Sequence, residues 1–240
     1  MIELVRAVRR DEPRVGTRKL QHRLAPQFEA EGISIGRDRL FSALRERNLL
    51  IFPKKRYQKT TYSNHRYAVA PNRVKELRIE RPNQVVASDI TYIALTRGFA
   101  YLFLVTDVFS RKILGYHLSR DLGHHSALLA LDKALDEIQE PQGLIHHSDR
   151  GCQYCCHEYL NFLDLHHVQS SMTDASHCYQ NAIAERVNGI LKLDLNLDSV
   201  FFDFKAAKEA VDHAIYVYNM KRTHWSLNLR TPHEVYNLAA

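Results

Sequence analysis

Val85-Val86-Ala87-Ser88-Asp89-Ile90-Thr91-Tyr92-Ile93 is a run of β-branched and aromatic residues that reads as a buried strand with a single carboxylate in it. A charge taken out of water in such a strand is stable only beside a partner of opposite sign, so Asp89 requires a cation. Two further acidic residues stand where they could share it. Asp149 follows the short apolar strand Gly143-Leu144-Ile145-His146-His147-Ser148 and precedes Arg150-Gly151, which puts it at a strand's C-terminal end, where open α/β sheets place their chemistry. Glu185 lies in Asn181-Ala182-Ile183-Ala184-Glu185-Arg186-Val187-Asn188-Gly189-Ile190-Leu191-Lys192, a helical pattern with Ile183, Val187 and Ile190 as its apolar face. Asn181, Glu185, Asn188 and Lys192 form the opposite stripe, so a helix packed on the sheet directs Glu185 toward the strand ends and leaves Lys192 two turns on.

Around these positions the chain reads strand, strand, strand, helix, strand, helix, strand, helix, helix. Phe99 to Thr106 and Lys112 to Leu118 continue from the Asp89 strand as an antiparallel meander, with Asp107 as a turn residue between them. Ser126 to Glu140 is an amphipathic helix with Leu128, Leu131, Leu135 and Ile138 inward, and Lys205 to Asn219 is another with Val211, Ile215 and Tyr218 inward. The class is α/β.

Asn83-Gln84-Val85 leading into Asp89-Ile90-Thr91-Tyr92-Ile93, then His147-Ser148-Asp149-Arg150-Gly151-Cys152-Gln153-Tyr154, then Asn181 to Arg186 with Lys192, resemble the integrase core of bacterial insertion-sequence transposases. More narrowly they resemble the insertion sequence three family, in the protein of its downstream reading frame. The likeness runs from about residue 14 to 237, because Tyr218-Asn219, Arg222-Thr223-His224 and Thr231-Pro232 also match. The chain departs from the usual residues at Val86, Ser88, Cys152 and Gln180, none of them a carboxylate. The resemblance implies a ribonuclease H-like mixed five-stranded sheet flanked by helices at residues 83–240. It also implies Asp89, Asp149 and Glu185 as the catalytic metal ligands and Lys192 as a DNA contact. Arg150, Asn181 and Arg186, which flank the acidic residues, join Lys192 as candidate DNA contacts.

Such a trio suits phosphodiester cleavage and joining by two Mg²⁺ ions, with Mn²⁺ as a substitute, held roughly 3.5 to 4 Å apart by shared carboxylates. Asp89 is expected to bridge the ions, with water attacking first and the freed 3′-hydroxyl then attacking target DNA. Double-stranded DNA, both element ends and target, is the expected substrate, and a homo-oligomer on DNA the expected assembly. The resemblance further implies a partner: an upstream-frame protein, fused or associated, that carries end recognition. DNA binding by this chain in isolation is therefore expected to be weak, salt-sensitive and poorly sequence-specific.

Charge divides the chain. Residues 1–60 hold 15 Lys/Arg against 7 Asp/Glu, and the remaining 18 against 20 complete the net +6, so the basic excess is N-terminal and suited to a phosphate backbone. Residues 1–52 read as a helical, helix-turn-helix-like basic domain. Thr17 caps a helix through Leu20 and Leu24 toward Phe28; Gly32 to Gly36 turns; and a second helix from Arg37 to Asn48 puts Leu40 and Leu44 inward and Arg37, Arg39, Arg45 and Arg47 outward. That pattern serves groove reading and an ordinary surface helix pair alike. Residues 53–82 read as a basic linker and short helix, where Lys54, Lys55 and Arg56 interleave with Tyr57, Tyr62 and Tyr67 in a manner suited to backbone contact and base stacking or to a plain connector.

Phosphate-loop and Gly-x-Ser-x-Gly signatures are absent, which removes nucleotide hydrolases and serine hydrolases of those types. Four cysteines, three crowded at 152, 155 and 156, do not make a disulfide framework. Together with His157, His146-His147 and His166-His167 they lack two clean zinc-ligand pairs, and buried thiols with surface histidines account for them. With neither a leader peptide nor a membrane-length apolar run, a reduced cytoplasmic, nucleoid-associated protein is expected. The alternatives kept open are a stand-alone ribonuclease H-like nuclease and a catalytically weak DNA-binding remnant competing for element ends.

Overall fold

The computed structural model describes residues 1–52, 69–174 and 181–238. Cys178, Gln180 and the Lys54-Lys55-Arg56 cluster with Tyr57, Tyr62 and Tyr67 lie outside them.

Five strands form one mixed sheet in the order β3-β2-β1-β4-β5. β1 (Val85–Ala94), β2 (Phe99–Asp107) and β3 (Ile113–Ser119) are the antiparallel meander read from the alternating β-branched residues. β4 (Ile145–Ser148) and β5 (Gln169–Met172) add in parallel on the other side of β1. Asp107 ends β2 fully buried, and its carboxylate accepts from the Asn83 and Ser110 N–H groups and the Ser110 hydroxyl, which makes it the organiser of the β2–β3 turn.

The β1–β3 meander carries helices on both faces. Val86, Phe103, Val105 and Leu114 pack on one face against α4 (His124–Ile138) and against the corner made by α5 (Cys152–Cys155) and α6 (His157–Leu165). Ile93, Leu102, Leu104 and Ile113 pack on the other against α7 (Ala182–Leu193) and α8 (Phe204–Met220). Burial of both faces explains why the strands read as nearly continuous apolar runs. The α4 helix begins two residues before the expected Ser126 and stops at Ile138, where Gln139 turns left-handed at φ 62°. A final helix, α9 (Pro232–Leu238), folds back so that the Tyr236 hydroxyl donates to the Asn83 side chain.

Gly115 in β3 is the point of closest approach between sheet and helix. A Cβ there would stand 2.1 Å from the Ala130 carbonyl oxygen and 2.7 Å from the Ala134 nitrogen. Both obstacles are backbone, so α4 would have to move away. Gly115→Ala is expected to destabilise by about 1 to 3 kcal/mol, read as a melting temperature several degrees lower; an unchanged melt would show that α4 yields without cost.

At the N-terminus, α1 (Ile2–Asp11), α2 (Thr17–Ala30) and α3 (Arg37–Glu46) surround a small core of their own, including Val5, Leu20, Leu24, Phe28, Leu40 and Leu44. Gly16, not Thr17, is the cap of α2, and Thr17 opens the helix without a side-chain cap bond. Arg37, Arg39, Arg45 and Arg47 are exposed, as the helical pattern required. This unit rests on the C-terminal part of the chain. Lys221 pairs with Asp11 at 2.5 Å, the Lys19 ammonium donates to the Thr223 carbonyl at 2.6 Å, and the Arg18 guanidinium lies over the Trp225 ring. Within residues 69–82 a single turn, closed by the Leu77 N–H on the Val74 carbonyl, stands where a short helix was expected. Just before it Arg73 runs along β5, its N–H donating to the Ser171 hydroxyl and its Nε to the Ser170 carbonyl, which shields the sheet edge. Among the described residues no helix is long and apolar enough to cross a membrane.

Candidate active site

The register between β1 and β4 brings the first two carboxylates together. Val85, Val86 and Ala87 pair with Ile145, His146 and His147, and continuing that pairing two residues sets Asp149 beside Asp89. Matched positions of parallel neighbours project from the same face of the sheet. For Asp89 that is the α7 face, since the Asn188 amide of α7 donates to its Oδ2 at 2.7 Å. Asp149 is held at its strand end by the Gly151 N–H, which donates to Oδ1 at 2.9 Å.

Two side chains fix how α7 lies on β1. Asn181 and Asn188 flank Glu185 by roughly one turn each way, and Asn181 Nδ2 donates to the Ser88 carbonyl at 3.0 Å while Asn188 reaches Asp89. The stripe read from sequence thus lies toward the strand that carries Asp89, with Glu185 in its middle. The helix packs through Ala184, Val187, Ile190 and Leu191, whereas Ile183, expected on that face, is only half-buried.

Electrostatics place the three acidic groups within reach of one another. The Asp89 carboxyl is pushed up to about 7, first by loss of water around it, then by the negative charge of Asp149 and, more weakly, of Glu185; the Ile90 N–H and the Asn188 amide oppose the shift. Like charges gathered without a counterion behave this way. The oxygens of the three are not all within 4.8 Å of each other, a closeness reached among the described residues by a different trio.

The remaining candidates divide. Lys192 is half-buried in the last turn of α7, and Arg186 is exposed on the same helix with its charge acting on Lys19, Arg222 and His224. Arg150 is half-buried and its Nε donates to the Thr173 carbonyl at 2.8 Å. Asn181 is buried, and its Nδ2 donates to the Ser88 carbonyl, which ties helix to strand. His146 and His147 are likewise buried, not on the surface.

Asn188 was legible only as a member of the polar stripe. A buried amide whose Nδ2 meets a carboxylate and whose Oδ1 has no partner orients Asp89 for something else. Asn188→Ala should lower metal affinity and turnover by roughly 10- to 100-fold, the usual consequence of removing an outer partner of a metal ligand. Isothermal titration with Mn²⁺ checks the first, and unaltered affinity would reduce Asn188 to a packing residue.

Comparison with known proteins agrees with this geometry. Two integrase core domain families match, one at residues 79–178 and one at 166–232. The insertion element IS600 uncharacterized 31 kDa protein of Shigella sonnei is 36% identical over 222 residues, which are 90% of this chain and 79% of that protein. Transposase InsF for insertion sequence IS3A of Escherichia coli K12 is 31% identical over 173 residues, 72% of this chain, and the match spans 60% of the InsF length. In fold, the HTLV-2 integrase catalytic core domain in complex with magnesium superposes with a TM-score of 0.54 at 20% identity, over 66% of this chain and 99% of that domain.

Proposed function

We propose, on the premise that this chain belongs to the integrase-core transposases of bacterial insertion sequences, a family of polynucleotidyl transferases, that it is the subunit that cuts phosphodiester bonds at element ends and joins the freed strands to target DNA. The observation that carries this reading is the effect of Asp149 and Glu185 on Asp89, from three separate elements, at one spot on the sheet.

An all-oxygen donor set with excess negative charge fits Mg²⁺, or Mn²⁺ in its place, and would be held by Asp89, Asp149 and Glu185. Bound there as a pair, such ions would supply activation of the attacking oxygen and stabilisation of the leaving one. The protein's own groups do the rest. Asn188 and the Ile90 N–H aim the Asp89 carboxylate, the Gly151 N–H aims that of Asp149, and Asn181 keeps α7 seated so that Glu185 stays over β1. Lys192, Arg150 and Arg186 supply positive charge for the phosphate backbone near the site, and Arg37 and Arg39 of α3 extend it. Lys54, Lys55 and Arg56 belong to the same reading from sequence.

Residues 1–52 then serve as a basic DNA-holding unit, 53–82 as the connector and 83–240 as the catalytic core, with an upstream-frame protein supplying end recognition in a homo-oligomer on DNA in the cytoplasm. The test is strand cleavage, with the upstream-frame protein present, of a donor duplex bearing the inverted repeat that flanks the gene. Nicking in Mg²⁺, lost on chelation, restored by Mn²⁺ and absent from Asp149→Ala supports the proposal. Equal and negligible nicking by both proteins sinks it and leaves DNA binding alone.

A further inference from the structure

Apart from the three carboxylates, His124, Cys156 and Glu158 turn onto one another, with a ring nitrogen, the thiol and a carboxylate oxygen all within 4.8 Å. They come from two separate places in the chain. His124 is the first residue of α4, Cys156 is the extended residue between α5 and α6 at ψ 153°, and Glu158 stands in the first turn of α6. The Cys156 thiol donates to the Gln153 carbonyl at 3.4 Å and faces the Glu158 carboxylate, on which the charges of His124 and His157 also act. Cys156 is buried, His124 half-buried and Glu158 exposed, so the trio forms a shallow site floored by sulfur and open to solvent on its carboxylate side.

Its chemistry differs from that of Asp89, Asp149 and Glu185. One nitrogen, one sulfur and one oxygen are the ligand types of Zn²⁺, which commonly takes three protein ligands and leaves its fourth position to water. A thiolate also selects against Mg²⁺. The neighbouring Cys155 takes no part, since its sulfur points inward to that of Met172 at 3.6 Å.

We propose that His124, Cys156 and Glu158 bind one zinc ion, with water as the fourth ligand, and that this ion pins the start of α4 to the corner of chain that follows Asp149. On binding, the thiol proton passes to solvent while the imidazole binds neutral, and nothing is oxidised or reduced. The corner is already tied at both ends: Gln153 Nε2 donates to the Leu122 carbonyl at 3.0 Å, and the Gly151 N–H holds the Asp149 carboxylate. A metal clip there restrains the segment on which Asp149 depends. Sequence spacing hid the site, because its histidine lies in another helix from the Cys-x-Glu pair.

Cobalt reports on it directly. Metal-free full-length protein, titrated with Co²⁺ in excess Mg²⁺, should take up one equivalent with a thiolate-to-cobalt charge-transfer band that Zn²⁺ abolishes. The band should persist in Cys155→Ser and in Asp149→Ala, so that its fate is independent of the catalytic reading, and vanish in Cys156→Ser. His124→Ala, at a half-exposed helix start, should bind Co²⁺ weaker by more than the roughly 10- to 100-fold that outer-shell changes bring. This variant decides the matter if Cys156→Ser fails to fold. No thiolate band in the unaltered protein, a band surviving in Cys156→Ser, or unchanged affinity in His124→Ala overturns the proposal.

Discussion

Asp89→Asn should reduce DNA cleavage by about a thousandfold or more and, at the same time, make the metal-free protein more stable at pH 8. The first effect follows from removing a ligand on which the transition-state charge depends, an interaction worth several kcal/mol. The second follows from the carboxyl's displacement to about 7. An ordinary aspartate in the unfolded chain loses its proton near pH 3.9. Between that pH and about 7 the folded state therefore holds a proton that the unfolded state has released, and stability falls as pH rises. The cost is complete above pH 7 and absent below about 4. Asparagine removes it and is accommodated locally, because its oxygen can still accept from the Ile90 N–H. Its amide can donate to Asn188 once that side chain turns its unpartnered Oδ1 inward. The melting-temperature gain over the unaltered protein should thus be largest at pH 8 and shrink toward pH 4. Saturating Mg²⁺ should erase it, since the ion stabilises only the unaltered site. A gain over the unaltered protein no larger at pH 8 than at pH 4 would mean that the three acidic groups do not strain one another.

The sequence carried much of this site, for a definable reason. Asp89 was visible because a charge within nine residues of strand-forming sequence is a physical contradiction, and contradictions of that kind survive without coordinates. The Asn181, Glu185, Asn188 and Lys192 stripe was visible because helical periodicity is local. Partnership was not. Asn181 and Asn188 look alike as polar residues on a helix, and only the packing of α7 on β1 commits one to the Ser88 carbonyl and the other to the Asp89 carboxylate. His146 and His147 read as surface groups in the sequence because polar residues inside a core have no one-dimensional signature. What satisfies His146 is the Ser88 hydroxyl from a neighbouring strand and the Tyr159 hydroxyl from α6. Short elements such as α5 and α9 escaped because four to seven residues are too few to establish a period.

The same buried histidine sets how the protein responds to acid. His146 Nε2 faces two hydroxyls, Ser88 at 2.7 Å and Tyr159 at 2.9 Å. A neutral ring offers them its single Nε2 lone pair, whereas a protonated ring would carry its charge in a buried pocket. Burial first, and then the neighbouring His147, press it down to about 3. His224 is also held near 3, by burial and by the surrounding Arg222, Lys19, Arg186 and Arg111. Here the sign is opposite to that of Asp89. Below about 6.5 the unfolded chain takes up protons that these folded-state rings refuse, so stability is lost as pH falls, by about 1.4 kcal/mol per pH unit for each ring. Through pH 6 to 4.5 the two histidines therefore oppose Asp89. Absolute slopes mix these with every other titrating group, but differences between variants isolate one. His146→Gln keeps an acceptor for both hydroxyls and removes one proton from the balance. Its stability, from urea unfolding between pH 6 and 4.5, should fall with acid less steeply than that of the unaltered protein by about 1.4 kcal/mol per unit. Parallel slopes would mean that the imidazole opens to water and titrates like any exposed histidine, and the Ser88–His146–Tyr159 contact would then not lock β1, β4 and α6 together beneath the carboxylates.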